Sequence, residues 1–282
     1  MSSTSTTDTR EGDGKWGTKT KAAGQYADVN GIKLYYEIQG SGEPLILLHG
    51  GLGATSMFGP NLPALAERRQ VIGVDLQGHG RTADIDRPIS TEAMAEDIAA
   101  LIKHLKLERP DVMGYSLGGG VAVLLAIRHP ELVGKLVIVS TPIRRDAFYA
   151  DILRQQGQVT AEAAEAMKQT PMYQLYASIA PRPEDWGRLL GKMGEAMKKD
   201  FDFSKEIAKI QAKTLIVAAD ADIFPPAHAV EVFGLLGGGK QDGGWDGSGR
   251  PKSQLAILPG LTHYSIGSAP ELSRVVIPFL EG

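Results

Sequence analysis

Residues 114–118 read Gly-Tyr-Ser-Leu-Gly, between Asp111-Val112-Met113, enough for the end of a buried strand, and a run of small and apolar residues at 119–127. A chain that passes from extended to helical within one residue, with a serine at the turn, has few folds open to it. The strand is buried, the helix packs on the sheet that holds the strand, and the glycines on either side of Ser116 let backbones approach closely. A hydroxyl held on so tight a turn is open to a carbonyl, and the next backbone N–H is aimed where negative charge would develop. The pentapeptide alone is also compatible with an ordinary strand-helix turn. Its surroundings decide.

Those surroundings alternate. Residues 26–29 and 32–38 flank Asn30-Gly31, a strong hairpin-turn signal. Apolar runs at 45–48, 71–74, 136–139, 214–218 and 255–258 read as strands covered on both faces. Residues 62–66, 227–236 and 272–279 have helical character. Met94, Ile98, Leu101, Ile102 and Leu105 recur at helical spacing behind Ser90 or Thr91, either of which can cap the helix. Strands alternating with helices predict a mostly parallel, doubly wound α/β sheet with right-handed crossovers, and ligands then gather at the carboxyl ends of its strands. The alternation breaks after Pro142. Residues 144–210 read as an inserted helical cap, with the core formed by 25–143 and 211–282. Met172, Tyr173, Leu175 and Tyr176 in the insertion either face a substrate or pack its own interior.

With 282 residues, 43% hydrophobic and 22% charged, the chain can bury one substantial core. A net charge of −3 supplies no field suited to phosphates or anionic lipid, so neither nucleic acid nor membrane is an expected partner. The sequence contains no cysteine, which excludes disulfides, thiolate chemistry and cysteine-bound metal. Residues 1–24 have the composition of a disordered tail and lack the apolar core of a signal peptide. No apolar run approaches the roughly 20 residues of a membrane-spanning helix, so a soluble cytoplasmic protein is expected. There is no internal repeat. The glycine-rich stretch 237–251, which contains Trp245, is neither preceded by a strand nor followed by Gly-Lys-Ser/Thr, and so does not read as a phosphate cradle. Its place between a helix and a strand, away from the ligand edge, suits a surface or subunit-contact role compatible with a homodimer.

Three segments resemble the α/β-hydrolase superfamily, and the likeness extends over about residues 26–280. They are His49-Gly50-Gly51 after a strand, the turn at Ser116, and an acid followed by His263, the latter in Pro259-Gly260-Leu261-Thr262-His263. Gly78-His79-Gly80 within 75–82 resembles the superfamily's loop after its fourth strand. The resemblance implies that Ser116 is the nucleophile, His263 its general base, and the N–H groups of Gly51 and Leu117 the oxyanion donors. The superfamily's Gly-x-x-Asp spacing aligns Asp222 with the acid. This chain departs from it with Ala219 in the glycine position, and Asp220 and Asp146 stay open as alternatives. Gly50, Leu52, Tyr115, Met172 and Tyr173 are the candidates for lining the substrate pocket. Of the other histidines, His104 and His129 fall near helix ends as charge or capping partners. His228 lies beside the acid loop without a motif, and His49 and His79 occupy strand-end loops.

The implied activity is that of a serine hydrolase, free of cofactor and metal, that cleaves a small-molecule carboxylic ester or lactone through an acyl-enzyme. An amidase, aminopeptidase, acyltransferase or perhydrolase would use the same triad, and a small-molecule-binding protein on a hydrolase fold is the non-catalytic reading. Serine at the turn argues against the superfamily's dehalogenases and epoxide hydrolases, which carry aspartate there.

Overall fold

Alternate residues of the apolar strands face opposite sides of one eight-stranded sheet, as the two-residue period of an extended chain requires. Ile46 and Leu48, Val112, and Leu136 and Ile138 join one buried cluster; Leu45 and Leu47, Met113 and Tyr115, and Val137 and Val139 join another. In this computed structural model the described residues are 24–282, so the disordered tail expected at 1–24 lies outside them except for Gly24.

The hairpin β1 (Gln25–Val29) and β2 (Ile32–Gln39) turns at Asn30, which has φ 47° as the Asn-Gly signal demands. There follow β3 (Pro44–Leu48), α1 (Asn61–Ala66), β4 (Gln70–Val74), α2 (Thr91–His104), β5 (Asp111–Tyr115), α3 (Leu117–Arg128) and β6 (Lys135–Val139). Four helices come next: α4 (Ala150–Gln156), α5 (Ala164–Met167), α6 (Pro171–Ile179) and α7 (Trp186–Lys198). The chain closes with β7 (Lys213–Ala221), α8 (Pro226–Leu235), β8 (Gln254–Thr262), α9 (His263–Ile266) and α10 (Pro270–Glu281). The sheet order is β1-β2-β4-β3-β5-β6-β7-β8, antiparallel from β1 to β4 and parallel from β4 to β8. This is the fold class the sequence implied. Side chains of α2 and α3 complete the first buried cluster, and those of α1 and α10 the second. Ser90 caps α2, its hydroxyl accepting the Ala93 N–H at 3.1 Å. Among the described residues no helix is long and apolar enough to cross a membrane.

Two strands run past the ends expected of them. β7 continues through Asp220 and β8 to Thr262, because the pair resumes at Ala221 and Thr262 after a register shift. An irregularity of this kind re-aims the side chains that follow it.

The helices between β6 and β7 pack on the α2/α3 side of the core through the stripe Trp186, Leu189, Leu190 and Met193 of α7. A buried carboxylate clamps the same helix. Asp84 Oδ2 lies 2.6 Å from both Lys192 Nζ and Arg188 Nε, and the Asp84 carbonyl accepts from Arg182 at 2.8 Å. Burial alone would raise the Asp84 pKa, but the Gln77 amide, Lys192 and Arg188 hold it below the usual carboxylate value. Asp84→Asn leaves partly exposed cations without their counter-charge and is expected to lower the unfolding free energy by about 2–3 kcal/mol. A urea denaturation curve measures this, and an unchanged midpoint would mean that apolar contacts alone hold the insertion.

Candidate active site

The turn between β5 and α3 puts Ser116 in the left-handed region at φ 52°, ψ −115°, a conformation that costs a non-glycine residue on the order of 1–3 kcal/mol. Pairing on both sides holds it. The Ser116 N–H donates to the Val139 carbonyl at 2.9 Å, and the Gly120 N–H returns to the Ser116 carbonyl at 3.0 Å. The flanking glycines are required by close approach. A Cβ at Gly114 would stand 2.2 Å from the Gly118 carbonyl oxygen, and one at Gly118 would stand 2.5 Å from the carbonyl oxygens of Leu48 and His49. The same proximity ties the loop after β3 to the turn, because the Gly118 N–H donates to the His49 carbonyl at 3.1 Å.

Three side chains from three strand ends meet there. His263 Nε2 lies 3.1 Å from Ser116 Oγ, and His263 Nδ1 lies 2.8 Å from Asp222 Oδ1. A carboxylate only accepts, so the Nδ1–H donates to Asp222 and leaves the Nε2 lone pair for the serine proton. Asp222 is buried, yet its carboxylate has three further donors: the Ser140 hydroxyl at 2.5 Å and the Ala219 N–H at 3.1 Å to Oδ2, and the Ile223 N–H at 2.9 Å to Oδ1. Burial pushes its pKa up, but the bonds from His263, Ser140 and Ile223 outweigh that and hold it below the ordinary value. Ala219, which departs from the Gly-x-x-Asp pattern, is not left-handed, so alanine fits.

The other acids have other partners. Asp220 accepts the Gly260 N–H at 3.0 Å, bracing the turn before His263, and Asp146 pairs with Arg144 on the surface. His49 is locked neutral: its Nδ1–H donates to the Gly50 carbonyl at 2.7 Å and its Nε2 accepts the Leu76 N–H at 3.0 Å. Burial lowers the pKa of both His49 and its neighbour His79, the latter to about 3. His228 Nε2 accepts the Ile143 N–H, and His129 lies 2.9 Å from Glu96 at the end of α3. Among the described residues, neither the Gly51 nor the Leu117 N–H donates to a loop or turn carbonyl. Both residues line one cavity with Ser116.

That cavity, about 230 Å³, corrects the expected pocket lining. Gly50 is a spacer, since a Cβ there would stand 2.6 Å from the Tyr115 ring. Leu52 is buried in the core at φ 57° within the turn closed by Gly53 N–H and the Gly50 carbonyl. Tyr115 is directed to the histidine loop: its hydroxyl donates to the His263 carbonyl at 2.6 Å, and its ring stacks beside the imidazole at 5.3 Å. Burial, with the charge of Asp222, pushes the Tyr115 pKa up, so it remains a donor. Met172 is exposed on the outer face of α6, and Tyr173 packs edge-on against Trp186. The insertion side chains that do line the cavity include Phe148, Gln156, Met193, Met197, Phe201 and Phe203. The sequence offered a signal for the two methionines, which follow Trp186, Leu189 and Leu190 at helical spacing. It offered none for the phenylalanines, which lie in segments without periodicity.

Ser140 was also missed. It follows β6 as Ser116 follows β5, is fully buried, and has φ 48°. Its hydroxyl makes it a positioning residue for Asp222.

The model of the alpha/beta hydrolase fold family matches residues 43–171. A protein named carbamate hydrolase RutD, from Azorhizobium caulinodans, is 30% identical over 218 residues, covering 72% of this chain and 82% of that protein. The acetyltransferase component of the acetoin cleaving system of Pseudomonas putida is 35% identical over 160 residues; the match covers 56% of this chain but only 42% of that relative. The structure of a thermophilic esterase from Thermogutta terrifontis superimposes with a TM-score of 0.69 at 22% identity, covering 93% of this chain and 98% of that one.

Ser140→Ala removes one of four donors to the Asp222 carboxylate. Since a hydrogen bond to a charged group contributes about 1.5–3 kcal/mol, any turnover that depends on Ser116 is expected to fall by about tenfold or more with KM little changed. The downfield proton resonance of His263 Nδ1–H should shift as well. An unaltered resonance and rate would assign Ser140 a packing role only.

Proposed function

Because the chain belongs to the α/β-hydrolase family, with Ser116, His263 and Asp222 in hydrogen-bonding reach of one another, we propose that it is a serine hydrolase that cleaves a carboxylic ester or lactone. The observation that carries this reading is the linear relay from Ser116 Oγ through the imidazole to a buried, charged Asp222. In the first half-reaction Ser116 Oγ bonds to the substrate carbonyl carbon while its proton passes to His263 Nε2. The N–H groups of Gly51 and Leu117 receive the negative oxygen. The carbon–oxygen bond to the alcohol then breaks, and His263 returns the proton to the departing alcohol. Water, deprotonated by the same imidazole, attacks the acyl-serine, releasing the acid and restoring the serine hydroxyl. Asp222 keeps its charge throughout, fixing the imidazole tautomer and stabilising the imidazolium.

A second reading is hydrolysis of a carbamate. It is supported by the name of the Azorhizobium relative and uses the same steps with a carbamoyl group in place of the acyl group. Acyl transfer to an acceptor other than water also begins from the same acyl-serine. A panel of nitrophenyl esters, lactones and carbamates separates the readings by relative kcat/KM.

Ser116→Ala should abolish ester turnover and leave the unfolding curve in place. Asp222→Asn should cost about 10⁴ in kcat, because an amide favours the wrong tautomer, whereas Asp220→Asn, which loses a loop contact, should cost about tenfold or less. Steady-state kinetics of the three variants tests the assignment. A larger loss at Asp220 than at Asp222 would reject it.

The pH dependence carries a sign. A protonated imidazole cannot accept the serine proton, so kcat/KM should rise, not fall, with pH across about pH 5 to 8, the range in which histidine side chains in general change charge. Asp222, held charged below the usual carboxylate value, adds no step in that range. A profile flat from pH 5 to 8 would contradict a histidine base.

A further inference from the structure

We infer that the group held beside Ser116 is a compact, uncharged, apolar acyl group, such as an arylacetyl or short alkanoyl group. The inference rests on the ester reading above and narrows it to a substrate class. Size sets the first limit. A cavity of about 230 Å³ lies below the roughly 300–1,000 Å³ of pockets that enclose drug-sized ligands, so a long acyl chain has no enclosed place to lie.

Chemistry sets the second limit. Phe148, Phe201 and Phe203 stand in a row along the wall, with ring centroids 6.4 Å and then 5.5 Å apart, and Met193, Met197 and Ile223 complete the apolar surface. Aromatic rings receive another flat ring edge-on or offset. Apart from Ser116, the polar lining is sparse: Thr141 donates to the Val139 carbonyl, Ser90 accepts the Ala93 N–H, Thr91 lies 3.4 Å from the exposed Glu92, and Gln156 contributes one amide. The charged lining residues are Glu92, Lys199 and Asp200, all exposed, and no arginine lines the cavity. An acyl group bearing a carboxylate would enter without a buried cation to pair with, at a desolvation cost that an apolar group avoids.

The wall is also preformed. Arg144 and Asp202 form an antiparallel bridge, the Arg145 N–H donates to the Phe201 carbonyl at 2.9 Å, and the Phe203 N–H donates to the Ile143 carbonyl at 2.8 Å. The segments carrying the rings are therefore stitched together by backbone bonds, which favours a fixed shape over an adaptable one. The acyl group, and not the alcohol, is assigned here because it stays bonded to Ser116 after the alcohol has left.

The test uses nitrophenyl esters with a common leaving group: acetate, hexanoate, phenylacetate, palmitate and hemisuccinate. Phenylacetate and hexanoate should exceed acetate in kcat/KM by about tenfold or more, in line with the 10- to 200-fold discrimination of apolar pockets. Palmitate and hemisuccinate should fall below acetate. In Phe148→Ala and Phe201→Ala the ratio of phenylacetate to acetate should drop at least about fivefold. Hydrolysis that depends on Ser116 but is equal across the series, or greatest for hemisuccinate or palmitate, overturns this inference and leaves the ester reading standing. Absence of Ser116-dependent turnover on every ester overturns the ester reading instead. Binding to Ser116→Ala, followed by ligand-observed NMR, then judges the pocket independently. Neutral phenylacetone should bind saturably and levulinate should not; the reverse order overturns the assignment of the pocket.

Discussion

The close approach of α3 to the sheet at Ser116 is the constraint on which the rest of the site depends. A left-handed serine is unfavourable by itself, and it persists because strands lie on both sides of it and because Gly114 and Gly118 carry no side chains to keep the helix away. That approach has two consequences. It exposes the serine hydroxyl at the sheet edge, and it frees the Gly118 N–H to hold the His49 carbonyl, which anchors the loop carrying Gly51 beside the turn. Ser116 and the loop of Gly51, the proposed nucleophile and oxyanion donor, are thus joined by one backbone contact, and substituting either glycine would disturb both.

The second organising element is a buried charge. An isolated carboxylate in this position would take up a proton. Asp222 stays ionised because four donors converge on it: Ser140 just after β6, Ala219 and Ile223 around the end of β7, and His263 at the start of α9. Each donor sits at the carboxyl end of its strand, so the parallel arrangement that exposes the serine also assembles the partners of the acid. Tyr115 completes the frame by holding the histidine backbone from the strand that leads to Ser116.

Much of this was legible in the sequence, for identifiable reasons. Strands buried on both faces leave unbroken apolar runs, and the Asn-Gly hairpin and the glycines around Ser116 are backbone requirements written directly into residue type. The preference for Asp222 over Asp220 came from the family spacing; in the structure the register shift in β7 turns Asp222 toward His263 and Asp220 toward Gly260. The pocket wall was not legible. Phe148, Phe201 and Phe203 come from irregular segments before α4 and after α7, and backbone pairing around Arg144 and Asp202 brings those segments together. Met172 and Tyr173 drew notice through composition, but composition carries no direction, and helix α6 turns one outward and the other onto Trp186. Ser140 gives no local signal either, because its importance arises from a strand end next to one already marked.

The account turns on a covalent bond at Ser116. Intact-mass spectrometry of the protein after reaction with a fluorophosphonate, followed by peptide mapping, tests that directly. One adduct per chain, located on the peptide containing Ser116 and missing from both Ser116→Ala and acid-denatured protein, is the expected result. An adduct on another residue, or an unmodified native protein, would contradict it.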